Sequence, residues 1–285
     1  MAKPKVVLPE QGVPKDEIIK LMEDLIKGDI NWREGKVWSL VYHASDEHSE
    51  FLKKAYTMFF SKNALSPMAF PSLKKFEIEV VSMVIDLLNG DKRCCGSMTS
   101  GGTESILMAI KTHRNWAREK YPEIKNPEMV LPSSAHPAHL KGADYFGVKP
   151  IRVPIDQETH RADVKAMKDA LTENTILMVG SACDFPRGVV DPIPELAAIA
   201  QERDIGMHVD ACLGGFILPF AKRLGYDIPD WDFSVPGVSS ISVDVHKYGY
   251  GAKGASTILY RKERMWKHQF SVYTDWSGGI YISTT

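Results

Sequence analysis

From Ser100 onward the chain alternates short apolar runs with amphipathic stretches, and this alternation restricts its fold more than any other feature. The runs at 129–131, 149–153, 175–180, 206–209, 239–243 and 255–260 read as strands. The stretch opened by Ser100-Gly-Gly-Thr-Glu, carrying Ile106, Leu107 and Ile110, reads as a helix, as do 138–145, 163–171 and 192–203. Parallel strands need crossover connections, and helices of about ten residues provide them. The expected class is therefore α/β, built on a mainly parallel sheet.

Before Ser100 the pattern differs. Ile18, Leu21, Met22 and Leu25 recur at helical spacing over 14–28, with Pro14 at the start and Gly28 as a stop. A second helix is predicted over 47–59. The segment 63–71 is a loop punctuated by Pro67 and Pro71. Ser72 then caps a helix with Phe76, Val80, Met83, Val84 and Leu87 on one face, ended by Gly90. The expected division is a helical N-terminal segment over 1–60 and a large α/β domain over 61–285.

Charge excludes some partners. Thirty-five Lys and Arg balance thirty-six Asp and Glu, with no basic block. Nucleic acid and an anionic membrane surface are thus not expected as main partners. The apolar runs fall far short of the roughly 20 residues of a spanning helix, so no membrane-spanning segment is expected. Met-Ala-Lys-Pro-Lys is not followed by an apolar stretch, so no signal peptide is read. Cys94, Cys95, Cys183 and Cys212 have no metal-type spacing and read as reduced thiols of a cytoplasmic protein.

Four places carry candidate chemistry. Gly101, Gly102 and Thr103 at a helix start can offer backbone N–H groups and a hydroxyl to a phosphate, or form a simple capped turn. Asp210 ends a strand, where open α/β sheets bind ligands; its carboxylate suits a protonated pyridine nitrogen, or caps the turn before Gly214. His136 can stack on an aromatic ring or be structural. With His139 it has the i, i+3 spacing of a metal pair, but Pro137 lies between them and no third ligand is evident, so no metal is expected. Lys247 follows the apolar run 238–243. A lysine buried there must have its charge lost or paired, and one way to remove it is an imine with a carbonyl cofactor, whereas a surface loop lysine needs no such account. Phosphate loop, stacking group, aspartate and lysine, in that order, are the contacts that pyridoxal 5′-phosphate requires.

These motifs resemble the sphingosine-1-phosphate lyase family, within the fold-type I pyridoxal-phosphate enzymes and near the group II decarboxylases. The resemblance rests on Thr-Ser-Gly-Gly-Thr-Glu-Ser-Ile-Leu-Met-Ala (99–109), His-Val-Asp-Ala-Cys-Leu-Gly-Gly-Phe (208–216), Ser-Val-Asp-Val-His-Lys-Tyr-Gly-Tyr (242–250) and Thr-Asp-Trp-Ser-Gly-Gly-Ile-Tyr (274–281). It runs from about Tyr42 to the last residue. It implies a mainly parallel seven-stranded sheet flanked by helices and a homodimer with shared active sites. It implies Lys247 as the Schiff-base lysine, Asp210 beside the pyridine nitrogen and His136 over the ring. Gly101, Gly102, Thr103 and His246 would hold the cofactor phosphate, and Gly278 and Gly279 would reach that of a partner subunit. Tyr42 and Lys253 would bind the substrate phosphate, with Asn63 beside it.

The implied reaction is retro-aldol cleavage of the Cα–Cβ bond of a phosphorylated sphingoid base, giving a long-chain aldehyde and phosphoethanolamine. Lys247 would also serve as acid or base. The sequence departs from the family at Ser66, where many relatives carry histidine, at Cys183-Asp184, and at Gly251-Ala252 before Lys253. The family also continues beyond the position of Thr285 with an arginine-bearing segment and a small C-terminal domain, which this chain is expected to lack. Two alternatives stand beside the lyase reading: decarboxylation of an L-amino acid with the same cofactor, and a truncated, inactive homologue.

Overall fold

The computed structural model describes residues 5–65 and 68–284; the departure at Ser66 lies outside the described residues. The chain forms two compact units, one ending at Tyr42 and the other beginning at His43. The first holds helix α1 (Lys15–Ile26), with Asp16 and Glu17 in its first turn, where carboxylates favour the helix dipole. Its apolar residues Ile18, Leu21, Met22 and Leu25 are exposed.

The second unit runs α2 (Asp46–Phe59), α3 (Pro71–Leu87), β1 (Cys95–Thr99), α4 (Gly102–Lys120), β2 (Glu128–Pro132), α5 (Ala138–Phe146) and β3 (Lys149–Val153). There follow α6 (Val164–Asp169), β4 (Thr175–Ser181), α7 (Ile193–Glu202), β5 (Gly206–Asp210), α8 (Leu218–Arg223), β6 (Ser240–Asp244), β7 (Ser256–Tyr260) and α9 (Glu263–Trp266). A short hairpin, β8 (Ser271–Tyr273) and β9 (Tyr281–Ser283), ends it. Ser45 caps α2 by accepting from the N–H of His48 at 3.0 Å. At α3 the expectation fails: the helix starts at Pro71 with Phe70 at its N-cap, so Ser72 lies in the first turn and is not the cap. A proline is well placed there, because its missing N–H would have had no helical acceptor.

The seven-stranded sheet has the order β1-β7-β6-β5-β4-β2-β3. Strands β6, β5, β4, β2 and β3 pair in parallel, while β7 is antiparallel to β6 and β1. The sheet is thus mainly parallel, as expected, and β1 points the same way as the parallel set. Strand β7 reverses because no helix separates it from β6; the two are joined by residues 245–255, which hold Lys247. Strand β1, Cys-Gly-Ser-Met-Thr, lacks an apolar run and was not legible as a strand. Gly96 within it is required by close approach, since a Cβ there would stand 2.3 Å from the Ile258 carbonyl oxygen.

Each sheet face has its own core. Val84, Met167, Leu196 and Leu218 of α3, α6, α7 and α8 pack with Val130, Met178, Val209, Ile241 and Leu259. Ile106, Ile110 and Ala143 of α4 and α5 pack with Met129, Leu131 and Val179 on the opposite face, beside Ile258, Tyr260 and Met265. Burial of side chains of this size is worth about 1.5–3 kcal/mol each. This double burial explains the near-continuous apolar runs of the parallel strands.

Candidate active site

Because β1, β2, β4, β5 and β6 run in the same direction, the segments following them meet along one sheet edge. A cavity of about 450 Å³ lies there, lined by Gly101, Gly102, Thr103, His136, Asp210, His246 and Lys247, together with Ser181, Cys183, Asp184, Cys212 and Asp244. All the residues that sequence reasoning assigned to the cofactor within 101–247 are therefore brought together.

The glycine turn follows β1 and opens α4. Gly101 occupies the N-cap and has no side chain with which to cap, which leaves first-turn N–H groups for a ligand. Ser100 N–H instead donates to Glu104 Oε2 at 2.5 Å. The turn is pinned from below by the buried chain Thr99 Oγ1, Ser105 Oγ and Ser256 Oγ, at 2.6 and 2.8 Å. A Cβ on Gly102 would come within 2.8 Å of both Asp244 Oδ2 and Cys212 Sγ, so only glycine lets the backbone sit this low.

Asp210 ends β5 and is 7% exposed. Its Oδ1 accepts from the Cys212 N–H at 3.1 Å and from Ser242 Oγ at 3.4 Å. Burial is the largest influence and opposes its charge, yet the carboxyl is held below its ordinary value, with the Cys212 N–H the donor that favours the ionised form. Behind it, His208 Nδ1 lies 2.9 Å from Ser240 Oγ. His139 is fully buried, and its Nδ1–H donates to the His136 carbonyl at 3.0 Å. Burial drives both histidines toward the neutral form. His136, after β2, is exposed and turns to the cavity, with Nδ1 accepting from Ala138 N–H at 3.2 Å. No cluster of three His, Cys, Asp or Glu side chains suited to a metal ion occurs among the described residues.

Lys247 follows β6 and is partly buried. Its Nζ lies 3.0 Å from Asp244 Oδ2, and His246 Nε2 lies 3.7 Å from the same oxygen. His246 Nδ1 accepts from the Ala255 N–H at 3.1 Å, so a neutral ring carries its proton on Nε2, toward Asp244. Burial, foremost, opposes the Lys247 ammonium, but Cys212, Asp244 and Asp210 more than offset it and raise the group above its ordinary value. Burial keeps Cys212 a neutral thiol, well above its usual range, so Asp244 is the near counter-charge.

Sequence reasoning missed Asp244. Its signal was the alternation Ser240-Ile-Ser242-Val-Asp244 in a strand buried on both faces: Ile241 and Val243 join the α3/α7 core, while the polar residues face the other way.

The remaining site residues are not among those lining this cavity. Lys253, on the turn before β7, is close enough to feel Lys247: burial, foremost, and the Lys247 charge lower it, while Asp244 raises it. Asn63 is exposed and accepts from Leu65 N–H at 2.8 Å. Gly278 and Gly279 form the exposed turn of the β8–β9 hairpin. Tyr42 ends the N-terminal unit.

A carboxylate, a lysine and a glycine-bounded helix start around one cavity on an α/β sheet define a pyridoxal-phosphate-type site. The family model for the pyridoxal-dependent decarboxylase conserved domain matches residues 2–278, and the chain belongs to that family. Within it, the chain is 45% identical to the sphingosine-1-phosphate lyase of Dictyostelium discoideum, over 98% of this chain and 52% of that protein. The solved sphingosine-1-phosphate lyase of Burkholderia pseudomallei superimposes with a TM-score of 0.94 at 42% identity, covering 98% of this chain and 66% of that one. Glutamate decarboxylase of Lactobacillus brevis shares the fold, with a TM-score of 0.81 at 22% identity over 100% of this chain and 66% of that one. The chain spans about half the length of the curated relatives it matches.

The family's cofactor is pyridoxal 5′-phosphate, and the cavity fits it on three counts. The Gly101–Gly102 turn leaves space and N–H donors where a phosphate needs them. A buried carboxylate, Asp210, faces the cavity from a strand end. Lys247 Nζ reaches the same space.

Proposed function

We propose that the protein cleaves the Cα–Cβ bond of a phosphorylated sphingoid base, releasing a long-chain aldehyde and phosphoethanolamine. The observation carrying this reading is the convergence of Lys247, Asp210 and the Gly101–Gly102 turn on one cavity, in a chain similar to sphingosine-1-phosphate lyases over nearly its whole length. Bound pyridoxal phosphate supplies an electron sink for the pair released when a bond to the substrate Cα breaks.

The chain's own residues divide the work. The first-turn N–H groups of α4, Thr103 and His246 hold the phosphate. Asp210 keeps a proton on the ring nitrogen, its charge secured by the Cys212 N–H. His136 covers a ring face. Lys247 is the covalent anchor and, once released, carries protons at Nζ. Lys253 and Tyr42, with Asn63, receive the substrate phosphate, Lys253 as a point charge. Residues 61–285 act as the cofactor domain, with 1–60 a helical N-terminal segment.

The unit of function is a homodimer in which Gly278 and Gly279 reach the partner's cofactor phosphate. Exposed apolar residues on α1 and, on the hairpin, Trp276 and Ile280 support self-association. The location is the cytoplasm, supported by four free cysteines. No helix among the described residues is long and apolar enough to cross a membrane.

A second reading, decarboxylation of an L-amino acid, is favoured by the family match itself. Incubation with a sphingoid-base 1-phosphate and, separately, with glutamate or tyrosine separates the two. Aldehyde and phosphoethanolamine are expected; carbon dioxide without aldehyde overturns the lyase reading.

A further inference from the structure

Asp244 is a buried carboxylate that is only partly satisfied. It is 2% exposed, and Oδ1 is buried without a hydrogen-bond partner among the described residues. An ionised carboxylate in that position costs several kcal/mol unless a charge pairs with it. Two features offset the cost. The α4 N-terminus lies against it, a Cβ on Gly102 being only 2.8 and 3.0 Å from its two oxygens, and a helix N-terminus favours negative charge. Lys247 Nζ stands 3.0 Å from Oδ2.

This pairing uses an unusually local geometry. Asp244 is the last residue of β6 and points to the α4 side with Ser240 and Ser242; the chain then turns back and returns Lys247 onto it. The carboxylate is anchored in a sheet buried on both faces, while the lysine has a long stem over an open cavity. One partner is fixed and the other can swing.

We propose that Asp244 is a positioning residue for Lys247: it is the buried counter-ion that holds the uncombined Nζ in the cavity and receives it again each time the lysine is released. This rests on the reading of Lys247 as the cofactor lysine. On this account Asp244 makes the lysine slow to react until a ligand displaces the pair, and gives the released lysine a defined resting place. The other titratable groups facing Nζ do not take this role. His246 and Lys253 carry no negative charge, Cys212 and Cys183 are held as thiols by burial, and Asp210 is committed to the Cys212 N–H.

The test is competitive labelling of Lys247 in the intact protein, freed of cofactor, with acetic anhydride across a pH series, read by mass spectrometry against Lys54, an exposed lysine of α2, as internal reference. In the unsubstituted protein, Lys247 labels more slowly than Lys54. Asp244→Asn raises its labelling at pH 8 by about tenfold for each unit by which its titration falls. Asp244→Glu, which keeps the charge, stays close to the unsubstituted protein. Unchanged labelling in a folded Asp244→Asn protein, checked by circular dichroism, overturns the proposal. Should that variant fail to fold, labelling of Lys247 at pH 8 as fast as that of Lys54 in the unsubstituted protein overturns it equally. A second arm adds pyridoxal phosphate. Protection of Lys247 is expected, and its absence overturns the cofactor reading while leaving the ion-pair result standing on its own.

Discussion

Gly102 stands directly over Asp244: a side-chain carbon on the glycine would lie 2.8 Å from Asp244 Oδ2, a closer approach than real Cβ atoms make. Gly101 next to it has far more room, the nearest atom to a Cβ being His246 Cε1 at 3.5 Å. The two glycines of one turn should therefore respond differently. Gly102→Ala must shift the α4 start or the Asp244 carboxylate, with about 1–3 kcal/mol of overpacking strain. Titration with pyridoxal phosphate, followed by visible absorbance, should show affinity weakened by about tenfold or more for Gly102→Ala. Gly101→Ala should lie within about threefold of the unsubstituted protein, a difference under 1 kcal/mol.

Asp210 faces the cavity with a charge fixed by the Cys212 N–H at 3.1 Å. Asp210→Asn keeps the shape and removes the charge. The neutral amide still fills the space but no longer favours a proton on a ring nitrogen opposite. Cofactor binding should persist, with an altered visible spectrum. Turnover of a sphingoid-base phosphate should fall by about 10²-fold or more, the scale of losing one preorganised electrostatic partner. Equal turnover by the two proteins would remove Asp210 from the chemistry.

Most of this site was legible because its residues follow strands that the apolar runs reveal. Asp210, His136 and Lys247 each come just after or at the end of such a run, and parallel strands bring those ends to one edge. Strand β1 escaped notice because an edge strand packed through Gly96 needs no apolar alternation. Asp244 escaped because 238–243 read as one apolar run, when Ser240, Ser242 and Asp244 mark a polar stripe on one face. Lys253, Asn63, Gly278 and Gly279 rest on resemblance alone, since no periodicity fixes where turn residues lie. The hairpin β8–β9 has only three residues per strand, too few to leave a pattern.

Cys183 lines the cavity, yet burial, foremost, pushes its thiol up to about 11. Only the thiolate reacts with iodoacetamide. Two units above the usual 9.0 reduces the thiolate fraction about a hundredfold. At pH 7.5, alkylation of Cys183 should thus be slow by that order against a small-molecule thiol, measured by peptide mass spectrometry. Pyridoxal phosphate should slow it further by filling the cavity. Rapid alkylation would show that the thiol is not held in this buried setting.

The buried histidines His113, His139 and His208 predict how stability depends on pH. Burial lowers His113 from 6.5 to about 4, and moves His139 and His208 in the same direction. Below pH 6.5 the unfolded chain binds protons at these rings that the native chain refuses, so native stability falls as pH drops. For His113 alone the loss between pH 6.5 and 4 amounts to about 3 kcal/mol. Asp191 acts in the opposite sense: burial raises its carboxyl to about 6, so between its ordinary value and about 6 the native state binds the extra proton. Three histidines against one carboxyl leave the net trend downward on acidification. Urea unfolding from pH 7 to 5 should show this decline. His113→Gln, which removes the titrating ring beside the Ala109 carbonyl and Ser239, should flatten the decline even if it lowers stability overall. A profile as steep in the variant as in the unsubstituted protein would mean that His113 titrates alike in the folded and unfolded states.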